Sequence, residues 1–131
     1  MERNTMHNTA QQQYLKVKVE TASPGELTLL LFQEMVKSLL QAKQLYSQHQ
    51  YENMNDNLHK ARSILNELIV TLNYEYDIAK DLGDLYLFYN QHIAKFVIKR
   101  DVRILDEIIE FAKGMADTWK QVLLLVKTGG K

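Results

Sequence analysis

The sequence has no cysteine, a single proline at Pro24, and no glycine between Gly25 and Gly83. Without cysteine there are no disulfides, no thiolate metal sites and no thiol nucleophile. Without proline after residue 24, and with so little glycine, the main helix breakers are gone, which favours long helices. Neither sign of charge dominates: Lys plus Arg and Asp plus Glu stand at 16 each. There is therefore no basic field to attract nucleic acid or anionic lipid. No apolar run approaches the roughly 20 residues that span a bilayer, so no membrane insertion is expected. The start, MERNTMHNTAQQQ, lacks the apolar segment of a secretory signal. Glycine-rich phosphate loops, G-x-S-x-G elbows and H-E-x-x-H pairs are missing as well. These absences point away from an enzyme or a cofactor carrier and towards a soluble helical protein with a cytoplasmic home.

What remains is organised along a chain of 131 residues, enough for one domain with a real core. Residues 1–13 are polar and are expected to be disordered in isolation. Tyr14 to Glu20, YLKVKVE, alternates apolar and charged residues and suits an extended strap over 14–23. The stretch TASPGELTLLLFQEM (21–35) then writes a helix start firmly. Ser23 is the cap, Pro24 the first helical residue and Glu26 the third, with Ala22 and Leu27 able to staple around them. Four helices follow over 24–127: about Pro24 to Gln48, Glu52 to Tyr74, an Asp77-capped helix to Lys99, and an Asp101-capped helix to Lys127. Similar lengths and short connections predict an all-α antiparallel four-helix bundle, single-domain, with an N-terminal extended strap.

Helical phase separates core from surface. Met54, Leu58, Ala61, Leu65, Leu68 and Leu72 form one stripe on the second helix. On the third, Leu82, Leu85, Tyr86, Tyr89, Ile93 and Phe96 share a face, and on the fourth Leu105, Ile108, Ala112, Met115, Trp119 and Val126 do. The first helix is broader: its apolar arc runs from Leu31 through Phe32, Met35 and Leu39 to Leu40, and Leu27 and Leu30 lie beyond it. That excess needs a cover, and the strap is the nearest apolar material. Val70, Tyr74, Leu87, Ile98, Leu124 and Leu125 also fall off their stripes. Such residues form a groove for a partner's amphipathic segment, scatter singly over the surface, or meet a second copy of the chain. Periodicity leaves all three open.

Two histidine patterns carry candidate chemistry. Asp56 and His59 have the carboxylate-x-x-His spacing of helical di-iron sites, but the motif occurs once and opposite the leucine stripe, so no metal is expected. His92 with Lys95 resembles phosphotransfer bundles, although Phe96 stands where those favour glycine and is expected to crowd the approach.

TASPGELTLLLFQEM preceded by Tyr14, then NLHKARSILNELIVTLN (57–73), LGDLYLFYNQHI (82–93), the turn at Asp101 and the tryptophan of DTWKQV (117–122) resemble, in order, the FliS family of bacterial flagellin export chaperones. The likeness covers about residues 14 to 122. It implies a bundle that binds the disordered C-terminal segment of flagellin, prevents polymerisation in the cytoplasm and assists delivery to the export gate. It also implies an N-terminal segment that covers the bundle and yields to the client. Combined with the off-stripe positions, it nominates Val70, Tyr74, Leu87, Ile98, Leu124 and Leu125 as client contacts and Tyr14 and Val17 as a displaceable cap. The rival readings are a homodimeric structural bundle and a histidine phosphotransfer bundle.

Overall fold

The computed structural model describes residues 10, 12, 13 and 24–129, with side chains as far as Lys127. The expected strap, its Tyr14 and Val17, and the Ser23 cap lie outside the described residues. Four long helices make up the described bundle: α1 (Pro24–Ser47), α2 (Tyr51–Val70), α3 (Ile78–Lys99) and α4 (Val102–Gly129). Each packs on two neighbours: α1 on α2 and α4, and α3 on α2 and α4. Short connections make successive helices antiparallel, so the ring is the expected up-down-up-down bundle.

The core follows the stripes closely. Met54, Leu58, Ala61, Leu65 and Leu68 of α2 are buried, as are Tyr86, Ile93 and Phe96 of α3 and Leu105, Ile108 and Ala112 of α4. Phe32, Met35 and Leu39 supply the buried side of α1. Across the diagonal, Phe32 meets Tyr86 at 6.1 Å between ring centroids, and Tyr46 meets Phe96 edge-on at 5.4 Å. Two stripe residues depart from expectation. Leu85 is exposed, at the α4-facing margin of α3, and Val126 is 66% exposed. Val126 has the right phase, but α4 there runs past the described ends of its partners.

That overhang is set by the contact between α1 and α4. Trp119 Nε1–H donates to the Gly25 carbonyl at 2.8 Å, and a Cβ on Gly25 would meet Leu123 Cδ2 at 2.8 Å. Glycine thus admits the fourth helix closely against the first turn of α1. From Leu123 to Gly129, α4 then continues for about 10 Å beyond it.

The connections correct one expected boundary and one expected cap. α2 stops at Val70 rather than Tyr74: the Thr71 hydroxyl donates back to Glu67 O (2.9 Å), and the Asn73 side chain accepts from the Glu75 amide (3.0 Å). Local side-chain bonds of this kind compete with helix continuation. Asp77 does precede α3, but it is αR and makes no side-chain cap bond. Asp101 fulfils its expected role, accepting the Arg103 amide at 3.0 Å. Hydrogen bonds from Arg103 hold its carboxyl below the usual range. Arg100 ends α3 in the left-handed region (φ 56°), unusual for a residue with a Cβ. Its amide donates to Phe96 O (2.7 Å), its carbonyl accepts from Tyr46 Oη (2.7 Å), and its guanidinium lies 4.5 Å from the Tyr51 ring centroid.

Burial raises the Tyr86 phenol from 10.0 to about 12. A group whose folded value is raised contributes its full stability below the unfolded value and loses it as pH climbs through the folded one. Between pH 10 and about 12 the bundle should therefore lose stability through Tyr86. Tyr86→Phe should show a smaller fall in Tm between those two pH values than the parent, by circular dichroism; an equal fall would remove Tyr86 as the cause.

Candidate functional site

Apolar exposure is uneven along the bundle. Val70, Tyr74, Tyr76, Ile78, Leu87, Phe88, Val122, Leu124, Leu125 and Val126 are all exposed, and all belong to the half that holds the α2–α3 connection and the α4 overhang. The flank where α2 and α3 meet and the α4 overhang account for the nominated residues.

The first surface is the flank where α2 and α3 meet. Its direction is set by Asn90, whose Oδ1 accepts from Arg62 Nε (2.6 Å) and whose Nδ2 donates to Asn66 Oδ1 (2.8 Å), both on α2. Leu87, Gln91, Ala94 and Ile98 follow one another at spacings of four, three and four on that side of α3. Leu87 is 50% and Ile98 80% exposed. Tyr74 reaches the same flank, for its hydroxyl would lie 3.2 Å from a Cβ on Gly83, one turn before Leu87. Val70 sits on the outward side of the last turn of α2. The structure thus groups Val70, Tyr74 and Leu87 near the connection, and sets Ile98 on the same stripe about 16 Å along the axis.

Leu124 and Leu125 do not join that flank. Both project on the α4 overhang, but on different sides of it. Leu125 shares the side of Phe111, which stacks on Tyr89 of α3 at 3.8 Å. Leu124 shares the side of Asp106, which pairs with Lys43 of α1 at 2.7 Å. Helical phase alone could not relate these positions to α2, because only the packing says which neighbour each side of α4 meets.

A groove between α1 and α2 was not nominated from the sequence. It has a volume of about 440 Å³, with Leu27, Leu30 and Leu31 on its apolar wall and Glu34 and Glu67 at its rim. Its signal was the pair of leucines beyond the α1 arc: Leu27 and Leu30 are half-buried in this groove rather than solvent-exposed. A second hollow of about 290 Å³ closes the bundle end under Tyr76, Ile78 and Trp119.

The histidine chemistry looks different in three dimensions. His92 Nε2 lies 2.9 Å from a Glu107 carboxylate oxygen, its side chain is 12% exposed, and Phe88 stacks on it at 5.2 Å. Phe96, which the sequence led us to expect would crowd the approach, does not, because that ring turns wholly into the core. Glu107 and Phe88 are what enclose His92, so a phosphoryl donor has no open approach. Asp56 and His59 are both exposed on the outer side of α2. Among the described residues no group of three His, Asp or Glu side chains could hold a metal ion, and no helix is long and apolar enough to cross a membrane.

Comparison with known proteins gives a consistent answer. The family model described as "Flagellar protein FliS" matches residues 6–125. A flagellar secretion chaperone FliS from Bacillus subtilis (strain 168) is 34% identical over 110 residues, covering 84% of this chain and 83% of that protein. The protein of the same name from Vibrio cholerae is 32% identical over 117 residues, covering 85% and 86%. A crystal structure of a bacterial flagellar chaperone superposes with a TM-score of 0.70 at 21% identity, over 89% of this chain and 97% of that one. At that identity the structural likeness speaks for the fold.

Exposure separates residues that hold the bundle from residues that merely lie on it. Alanine at both Leu87 and Ile98 should change unfolding free energy by less than about 1 kcal/mol in total. Asn90→Ala, which unmakes a buried polar network, should destabilise by about 1–3 kcal/mol. Urea titration of the two variants distinguishes them, and comparable losses would mean that Leu87 and Ile98 are structural.

Proposed function

This chain belongs to the FliS family of flagellar secretion chaperones, a class that binds rather than catalyses, and on that premise we propose that it holds the C-terminal segment of flagellin. In this reading it works in the cytoplasm, prevents premature polymerisation and assists delivery of the client to the flagellar export gate. The observation that carries it is the α2/α3 flank, where Leu87 and Ile98 stand open to solvent on a bundle whose core is otherwise closed.

The physical logic needs neither catalysis nor nucleotide. A disordered segment that folds on binding typically buries about 1,000–3,000 Å² and gives up several kcal/mol to ordering. Exposed apolar side chains on a rigid bundle can offset that ordering, because the surface itself does not have to be assembled. Val70 and Tyr74 extend the flank past the connection, and Leu124 and Leu125 offer further contacts on two sides of the α4 overhang that a long client reaches by wrapping the bundle end. Tyr14 and Val17 serve as the displaceable cap, so that uncapping subtracts from net affinity and favours later release. A homodimer would use the same apolar side chains against a second copy.

Calorimetric titration with a peptide spanning the C-terminal segment of the host's flagellin tests this directly. Expected are one-to-one binding, a negative heat-capacity change and a gain of helicity by circular dichroism. Alanine at both Leu87 and Ile98 should weaken affinity by about tenfold to a hundredfold. No binding by an intact bundle, with self-association in light scattering over a concentration series, would replace the chaperone reading with the homodimer.

A further inference from the structure

The α2/α3 flank carries a polar feature that its apolar residues do not explain. Asn90 is only 5% exposed, and its amide is fully engaged: it accepts from Arg62 Nε at 2.6 Å and donates to Asn66 Oδ1 at 2.8 Å and to the Arg62 carbonyl at 3.4 Å. This pins the Arg62 guanidinium by one edge. Among the described residues its two Nη groups have no partner, and no carboxylate lies within ion-pair distance. The other two described arginines differ: Arg103 is paired with Asp101 at 3.0 Å, and Arg100 lies over Tyr51 at 4.5 Å. Asn66 adds its own Nδ2 donors, since its Oδ1 is already taken. The α2 wall of the flank therefore presents donors and positive charge, while the α3 wall presents Leu87, Ala94 and Ile98.

From this geometry we propose that Arg62 receives an aspartate or glutamate side chain of the bound client and so sets the client's register on the flank. The inference rests on the client-binding reading above and deepens it. Asn90 lies about one turn past Leu87 and eight residues before Ile98, so Arg62 faces the stripe between its two ends, nearer Leu87. An amphipathic helix laid along that stripe places apolar residues about 16 Å apart at its ends and one residue opposite Arg62. A carboxylate there meets two parallel N–H donors, the bidentate geometry for which a planar guanidinium is suited. As the client seals the flank, water leaves and the attraction strengthens. A client with an uncharged residue at that point would bury the guanidinium unpaired, which is strongly unfavourable. The register is thus selected twice, by the pairing gained and by the mispairing avoided. Asn90 acts as the positioning residue.

The test is a double-mutant cycle read by calorimetry. One side is the parent chain, Arg62→Gln and Arg62→Lys. The other is a synthetic peptide spanning the C-terminal segment of the host's flagellin, a series with each Asp or Glu changed singly to Asn or Gln, and a version with an amidated C-terminus. Expected is a loss of about tenfold to a hundredfold for Arg62→Gln with the parent peptide. One singly amidated side chain should weaken binding to the parent chain by a similar factor and have no further effect on Arg62→Gln. Arg62→Lys, which keeps the charge but not the fork, should lie between, and thermal melting checks that each variant is folded. Should Arg62→Gln melt early, the peptide series against the parent chain decides alone: no single side-chain change weakening binding would overturn the proposal. Additive cycles throughout, or a coupling that maps to the amidated C-terminus, would overturn it too, while leaving client binding intact. A parent chain that binds no peptide would instead sink the client-binding reading, and this inference with it.

Discussion

The bond from the Trp119 indole to the Gly25 carbonyl, 2.8 Å long and 94 positions apart in sequence, closes the ring of helices. Three short connections can bring α1 to α4 in order, but only a contact between the first and last elements makes the bundle a closed core. Gly25 is part of the same contact, since a side chain there would press on Leu123. Once the first turn of α1 is fixed against α4, the remaining length of α4 runs past the described ends of the other three long helices. The apolar overhang and the hollow beside Trp119 are consequences of that one closure.

The two ends of the bundle are built on different principles. At the α3–α4 turn, Arg100 in a left-handed conformation is held through its amide, carbonyl and guanidinium by Phe96, Tyr46 and Tyr51. Polar and aromatic contacts satisfy the backbone there, with Ile98, two residues before Arg100, left 80% exposed. At the α2–α3 connection the side chains of Thr71 and Asn73 end the helix early, and Tyr74, Tyr76 and Ile78 are left outside the core. A chaperone benefits from this asymmetry. One end keeps the scaffold rigid, and the other offers surface without having to unfold, so the ordering entropy of binding falls on the client.

The enclosure of His92 separates binding from chemistry in the same molecule. Its ring nitrogen faces Glu107, and Phe88 covers its face, so the residue braces α3 against α4. The buried Asn90 does comparable work between α2 and α3, but its partner Arg62 keeps two donor groups turned outward. Of the polar contacts between helices, this one leaves a charge available to something other than the chain itself.

Four helices, their order and most of their core faces were legible in the sequence, because 3.6-residue periodicity and the lack of breakers act locally. The Asp101 cap was legible for the same reason: its bond spans two residues. So was the family, written in ordered motifs from the helix start near Pro24 to Trp119. The end of α2 was not, since Tyr74 continues the pattern and only the competing bonds of Thr71 and Asn73 stop it. Of the six nominated contacts, phase marked each as off-core but could not say which shared a surface. Packing decided that Leu87 and Ile98 line one flank with Tyr74, and that Leu124 and Leu125 look away from it on different sides of α4. Phase also put Val126 in the core, whereas the closure of α1 on α4 leaves it on the overhang, 66% exposed. Periodicity reports one helix at a time; which side meets which neighbour, and where a neighbour ends, is set by contacts between residues far apart in the chain.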